Sequence, residues 1–162
     1  MTPVSASHPS SSIGFVQDTA GSSRTLRILV YSDNADTRGR VMRALGKRVH
    51  PDLPELSCVE VATAPMAMRQ IDAGGIDLAI LDGEATPFGG MGIAKQVKDE
   101  VADSPPILVL TGRPDDAWLA RWSRAEAAVP HPIDPIQLGE TVVELLLSQA
   151  HINAPRGSGT AE

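Results

Sequence analysis

The chain is short of cysteine, of aromatics, of basic residues and of long apolar runs, and each shortage narrows what it can be. A single cysteine, Cys58, excludes an internal disulfide. It sits in an apolar run and reads as a small core residue. No stretch approaches about 18 continuous apolar residues, so membrane insertion is not expected. The N-terminus has no basic segment followed by an apolar one, and a cytoplasmic location is expected, peripheral to a membrane at most through a protein partner. Lys and Arg number 14 against 20 Asp and Glu, a net charge of −6. An acidic domain repels a phosphate backbone, so nucleic acid is not an expected partner. The densest basic group, Arg38, Arg40, Arg43, Lys47 and Arg48, has helical spacing and reads as a solvated face. Aromatics are only two Trp, one Tyr and two Phe. Trp118 and Trp122 lie one helical turn apart, so one helix holds much of the aromatic surface. Two readings stay open for it: an anchor for a partner, or packing of at least one ring onto the core.

What is present is an alternation. Residues 1–24 and 150–162 are rich in small and polar residues with Pro and Gly. They cannot bury enough apolar area to offset their ordering entropy and read as disordered tails. Residues 25–149 remain as one folded unit, long enough for a single core. Short apolar runs at 28–31, 58–62, 78–81 and 107–110 read as strands buried on both faces, with 127–129 a weak fifth. Helical patterns separate them. The first has Asn34 or Asp36 as cap and Gly46 as stop. The second is capped by Thr63 and ended by Gly74 and Gly75. The third carries Met91, Ala94 and Val97, and a short fourth covers 115–124. The last starts at Asp134 and Pro135, with Gln137 completing a capping-box spacing. Five strands alternating with five helices predict an α/β fold, a three-layer α/β/α sandwich around a doubly wound five-stranded parallel sheet.

Ligands of such sheets bind beyond the C-terminal ends of the strands. Those ends are Ser32-Asp33-Asn34, Asp82 with the Gly-rich stretch 83–90, Thr111-Gly112, and Pro130-His131-Pro132. The first and third strands are neighbours in the common doubly wound order, so Asp33 and Asp82 are expected in one crevice. Two close carboxylates repel unless a cation lies between them, and oxygen ligands completed by water suit Mg²⁺. A hydroxyl at Thr111 then faces an oxyanion, an arrangement that fits phosphoryl transfer onto a carboxylate. The plainer reading keeps Asp82 as a strand-end residue bonding the Gly-rich loop, Asp33 beside a capping Asn34, and Thr111 as a turn residue. Gly89-Gly90-Met91-Gly92 lacks the Lys-Ser/Thr of a P-loop and the dinucleotide fingerprint, so a flexible loop is expected there rather than a nucleotide site.

In order and spacing these segments resemble the response-regulator receiver family of two-component phosphorelay signalling, over about residues 25–149. Residues 27–34 match its first strand and acidic turn. Residues 77–90 match its phosphoacceptor strand, with Gly90 at the usual distance from Asp82. Residues 107–112 match its fourth strand with a Ser/Thr, Pro132 its proline after the fifth strand, and Asp134-Pro135 its last helix start. The resemblance implies a flavodoxin-like, chemotaxis-type receiver fold. It implies Asp82 as phosphoacceptor, Asp33 as direct Mg²⁺ ligand with the backbone carbonyl of Glu84 as another, and Thr111 as switch hydroxyl. It also implies a cis bond before Pro132 that aims His131 into the crevice, and a partner-facing helix bearing Trp118 and Trp122.

The departures carry equal weight. Ser32 stands where the family usually has a second acid, His131 where it has lysine, and Ala128 where it has an aromatic switch residue. Pro87 falls one residue later than the family's loop proline. The first change weakens Mg²⁺ binding, the second removes a permanent cation, and the third removes the bulk that reports phosphorylation. Glu84 beside the pocket repels an incoming phosphate. The expectation is therefore an atypical, stand-alone orphan receiver that acts as a regulatory protein-binding module and is not an enzyme. The runner-up is a working receiver that takes phosphate on Asp82 with Mg²⁺, from a histidine kinase or a small phosphodonor. A small hydrolase or phosphotransferase comes third, lacking any base paired with a nucleophile. The chain also resembles actinobacterial orphan receiver-like proteins whose genes tend to lie beside those of the respiratory NADH:quinone oxidoreductase. That resemblance makes subunits of this complex candidate partners, and homodimerisation is left open.

Overall fold

The structure, a computed structural model, describes residues 24–153. Most of both expected tails lies outside the described residues. At their inner ends Arg24 pairs with Asp77, and the last helix continues through Asn153, four residues past the expected boundary at 149.

Five strands form one parallel sheet in the order β2-β1-β3-β4-β5: β1 Leu26–Tyr31, β2 Leu56–Val61, β3 Leu78–Asp82, β4 Ile107–Thr111 and β5 Ala127–Pro130. The helices between and after them are α1 Ala35–Leu45, α2 Ala64–Asp72, α3 Gly90–Glu100, α4 Ala117–Trp122 and α5 Pro135–Asn153, with a 3₁₀ turn, Pro114–Asp116, before α4. Every residue of β3 and β4 is buried. That is why these strands read as continuous apolar runs rather than alternating ones.

Side chains of a strand alternate between faces, and the core divides accordingly. Ile28, Val30, Leu78, Ile80, Leu108 and Leu110 pack with Val41 and Leu45 of α1 and Leu138, Val142 and Leu146 of α5. Leu29, Tyr31, Ala79, Leu81, Ile107 and Val109 pack with Ala67 and Ile71 of α2 and Ile93, Ala94 and Val97 of α3. Cys58 is partly buried against the first cluster, in the manner of a small apolar residue.

The local signals act where they were read. Asn34, not Asp36, caps α1, accepting from the amides of Asp36 and Thr37. Gly46 closes it at φ 63°, a conformation L side chains avoid. Thr63 caps α2 through the Met66 amide, and Asp134 caps α5 through those of Ile136 and Gln137. Only Asp134's half of the capping box forms among the described residues.

Several element bounds differ from expectation: β1 begins two residues earlier, at Leu26, and β3 and β4 run one residue longer, through Asp82 and Thr111. β2 begins two residues earlier because Leu56 and Ser57 pair with Leu26 and Arg27. β5 gains Pro130 through its register with Thr111. The fourth helix is shorter than 115–124: its start is the 3₁₀ turn, and Arg124 at φ 65° ends it. No described helix is long and apolar enough to cross a membrane.

Candidate functional site

The ends of β1, β3 and β5 meet at one cleft of about 290 Å³, lined by Asp33, Asn34, Thr37, Asp82, Glu84 and His131, while Thr111 at the end of β4 is not among its lining residues. β1 and β3 are hydrogen-bonded neighbours, with Tyr31 opposite Leu81, so Asp33 and Asp82 share the cleft as expected. Because side chains alternate, Ser32 follows Ile28 and Val30 onto the face that Asp82 shares with Leu78 and Ile80. Tyr31, one residue earlier, belongs to the opposite core.

Asp82 is 3 % exposed, and its carboxylate is bonded on both oxygens. Oδ2 accepts the Ser32 hydroxyl at 2.8 Å. Oδ1 accepts the Glu84 amide at 2.9 Å and the His131 Nε2 proton at 3.1 Å. A carboxylate only accepts, so the imidazole is the donor in this contact. Three of the roughly four acceptor directions of the carboxylate are thereby filled. Ser32 is fully buried and also accepts the Asn34 amide at 3.0 Å. The hydroxyl thus links the Asp82 carboxylate to the entry of α1.

His131 is positioned by its backbone. Its amide donates to the Thr111 carbonyl at 2.8 Å, continuing the β4–β5 ladder beyond the last paired residues. The His131–Pro132 bond is cis, as the resemblance implied. A second cis bond, Thr86–Pro87, had no sequence signal. Thr111 is buried at the end of β4. Ala128 is half-buried in β5 opposite Val109. Asp33 is exposed and accepts the Thr86 hydroxyl at 2.9 Å. The carboxylate of Glu84 lies against Gly112, across the mouth of the cleft.

Three charged carboxylates and one imidazole line the cleft, a balance that disfavours a free anion and favours a cation. Asp33 and Asp82, with the Glu84 carbonyl, fit a Mg²⁺ ion in kind, since all are hard oxygen donors. They fit it poorly in arrangement, because one acceptor direction of Asp82 remains. Among the described residues no group of three or more His, Cys, Asp or Glu side chains is placed to hold a metal.

Three residues of the site escaped sequence reasoning. Arg38 reads as part of a solvated face, yet it is mostly buried, donating to the Ser32 carbonyl at 2.6 Å and pairing with Glu60 at 3.2 Å. It pins the end of β1. Tyr31, the only tyrosine, is 1 % exposed and donates to the Phe88 carbonyl at 2.6 Å. Burial, then the charges of Asp33 and Asp82, push its hydroxyl above the usual tyrosine range. Thr86 ties the Gly-rich loop to Asp33. The stretch 89–92, expected to be a flexible loop, is instead the start of α3, with Gly89 as its cap and Gly90, Met91 and Gly92 in its first turn. Tyr31 could have been suspected from its place directly before Ser32; nothing marked Thr86.

Trp118 and Trp122 are 63 % and 57 % exposed, so neither packs onto the sheet. Lys95 of α3 sits over the Trp122 ring, 5.9 Å from its centre.

No family model matches the chain. Over 130 residues it is 78 % identical to response regulatory proteins from two Mycobacterium tuberculosis strains, CDC 1551 and H37Rv, covering 80 % of this chain and 98 % of each relative. Among solved structures it is similar to a CheY-like receiver domain from Methanospirillum hungatei JF-1, with TM-score 0.64, 19 % identity and coverage of 80 % and 100 % of the two chains. It is similar also to a chemotaxis response regulator of Vibrio cholerae, with TM-score 0.64, 20 % identity and coverage of 76 % and 100 %. The structures speak to the fold and the relatives to the family: the chain belongs to the response-regulator receiver family.

Proposed function

We propose that this receiver is an atypical regulatory module that works by binding protein partners, without the usual phosphorylation switch at Asp82. One observation carries the reading: the Asp82 carboxylate is already occupied by Ser32, His131 and the Glu84 amide. A phosphoacceptor needs a free oxygen, a cation beside it and a charged partner for the phosphoryl group. Here Ser32 supplies a donor where the family places a carboxylate, and the His131 ring nitrogen faces Asp82 at 3.1 Å. At position 128 an alanine has no bulk to swing.

Mg²⁺ is accordingly a weak ligand in this reading. Asp33, Asp82 and the Glu84 carbonyl would hold it, and it would neutralise the repulsion between the two carboxylates. No residue is assigned a catalytic role. A second reading, a working phosphoacceptor, is favoured by the convergence of Asp33, Asp82 and Thr111 on one end of the sheet.

Amide NMR of the full chain with Mg²⁺ and beryllofluoride, and separately with acetyl phosphate, decides between them. The expected result is no shift centred on Asp33, Asp82 and Thr111. Shifts there that vanish in Asp82→Asn establish the second reading and end the first.

For partners, the exposed Trp118 and Trp122 support a protein contact on α4, since large aromatics in water are common binding anchors. The candidates are a histidine kinase, a second copy of the chain and the respiratory NADH:quinone oxidoreductase, the last by resemblance to orphan actinobacterial receivers. Titrating the purified oxidoreductase with wild type, Trp118→Ala and Trp122→Ala tests it; equal affinity for all three removes the α4 face.

A further inference from the structure

With alanine at position 128, β5 offers no route from the cleft to the surface, and the β3–α3 loop offers one. Residues 84, 86 and 88 are each tied to the cleft or to its edge. The Glu84 amide donates to Asp82 at 2.9 Å, the Thr86 hydroxyl to Asp33 at 2.9 Å, and the Phe88 carbonyl accepts from Tyr31 at 2.6 Å. The two ends of the loop pack too closely against their neighbours to accept a side chain. The Gly83 amide is bonded to the Leu110 carbonyl at 2.7 Å, and a Cβ on Gly83 would meet that oxygen at 2.6 Å. A Cβ on Gly89 would meet the Gly83 carbonyl at 2.7 Å, and one on Gly90 the Leu81 carbonyl carbon at 2.7 Å. These bonds connect Asp33 and Asp82 to the segment that finishes at Phe88. The Phe88 ring is 62 % exposed. It stands at the lip of an apolar groove between α2 and α3 of about 460 Å³, together with Pro65, Met68 and Ile93.

We infer that Tyr31 is the positioning residue that couples the Asp82 cleft to Phe88 and the α2–α3 groove, in place of the aromatic missing from β5. The inference rests on the proposed reading only in taking the cleft as the regulated site. Tyr31 suits the task because it directly precedes Ser32, its ring is buried in the core under α2 and α3, and its hydroxyl reaches the loop. The coupling is local and bonded throughout, and needs no movement of the sheet.

The test uses the full chain without phosphodonor or added metal, so its outcome does not depend on whether wild type accepts phosphate. Asp82→Asn perturbs the cleft at nearly constant shape. Methyl NMR then follows Met68 and Ile93 at the groove and indole NMR follows Trp118 and Trp122 on α4. The expected result is groove shifts at least twice those of the indoles. Adding Tyr31→Phe, which removes one oxygen, should reduce the groove shifts at least twofold, and Thr86→Val at an exposed site should do so independently. Thermal unfolding of each variant establishes that it is folded. Groove signals that stay still, indoles that move more than the methyls, or groove shifts of full size once Tyr31→Phe is added would each overturn the coupling through Tyr31.

Discussion

Replacing Ser32 by aspartate should make the stability of the domain depend on Mg²⁺ far more than that of the wild type. The Ser32 hydroxyl is fully buried and donates to Asp82 at 2.8 Å. A carboxylate in its place loses that charge-assisted bond, worth about 1.5–3 kcal/mol. It also sets a second negative charge about 4 Å from the first, a repulsion of about 4 kcal/mol at an effective dielectric constant near 20. Without metal, Ser32→Asp should therefore be about 5.5–7 kcal/mol less stable, a large share of the ~5–15 kcal/mol of a typical domain. A divalent ion that binds only the folded variant at about 100 times its dissociation constant returns about 2.7 kcal/mol.

Urea unfolding in EDTA and in excess Mg²⁺ measures both terms. The variant should gain roughly 2–3 kcal/mol from the ion and the wild type under about 0.5 kcal/mol, on the same linkage reasoning. Ser32→Ala is the control: it should lose about 2 kcal/mol through the missing bond and, with an Asp82 oxygen freed but no second carboxylate added, gain less from Mg²⁺ than Ser32→Asp. If wild type gains as much from Mg²⁺ as Ser32→Asp, the cleft is open to the ion already, and the claim that Ser32 and His131 occupy Asp82 is wrong.

Further outcomes follow from other parts of the molecule. Gly90→Ala should cost at least ~2 kcal/mol in urea unfolding, because its Cβ would sit 2.7 Å from the Leu81 carbonyl carbon; a change under ~0.5 kcal/mol would mean α3 can slide off β3 freely. Burial and the neighbouring Asp33 and Asp82 raise the Tyr31 hydroxyl. The unfolded chain therefore loses that proton first, so stability is fully present below about pH 10 and falls as pH rises toward the raised folded value. Cys58, raised by burial and then by Glu60, acts with the same sign from about pH 8.5 upward. Alkaline unfolding should accordingly be shallower in Tyr31→Phe made in a Cys58→Ala background than in Cys58→Ala alone; identical curves would contradict the sign or the cause. Trp118→Ala and Trp122→Ala should leave stability within ~0.5 kcal/mol of wild type, since both rings face water; a larger loss would show that they hold the fold instead of a partner.

Much of this was legible in the chain because it is local. Strands buried on both faces are continuous apolar runs, helices announce themselves through Asn34, Thr63, Asp134 and Gly46, and a parallel sheet directs attention to the residues just past its strands. That reasoning located Ser32, Asp33, Asp82, Thr111 and His131, and the spacing of Gly90 from Asp82 has a plain cause in the lack of room over Leu81. Arg38 was misread as solvated because its partners, the Ser32 carbonyl and Glu60, come from two other elements. The short α4 ended where Arg124 enters a left-handed conformation, which composition does not disclose.

By itself, then, the sequence determined the order of elements, the core faces and the residues that crowd the strand ends, since each follows from the spacing of neighbours along one chain. Tertiary structure alone decided what those residues do to one another. Ser32 and His131 reach Asp82 across 50 and 49 residues, and Tyr31 reaches Phe88 across 57. Whether a strand-end carboxylate is free or already bonded depends on distances of a few tenths of an ångström between such segments, and those are set by how the sheet and its helices pack.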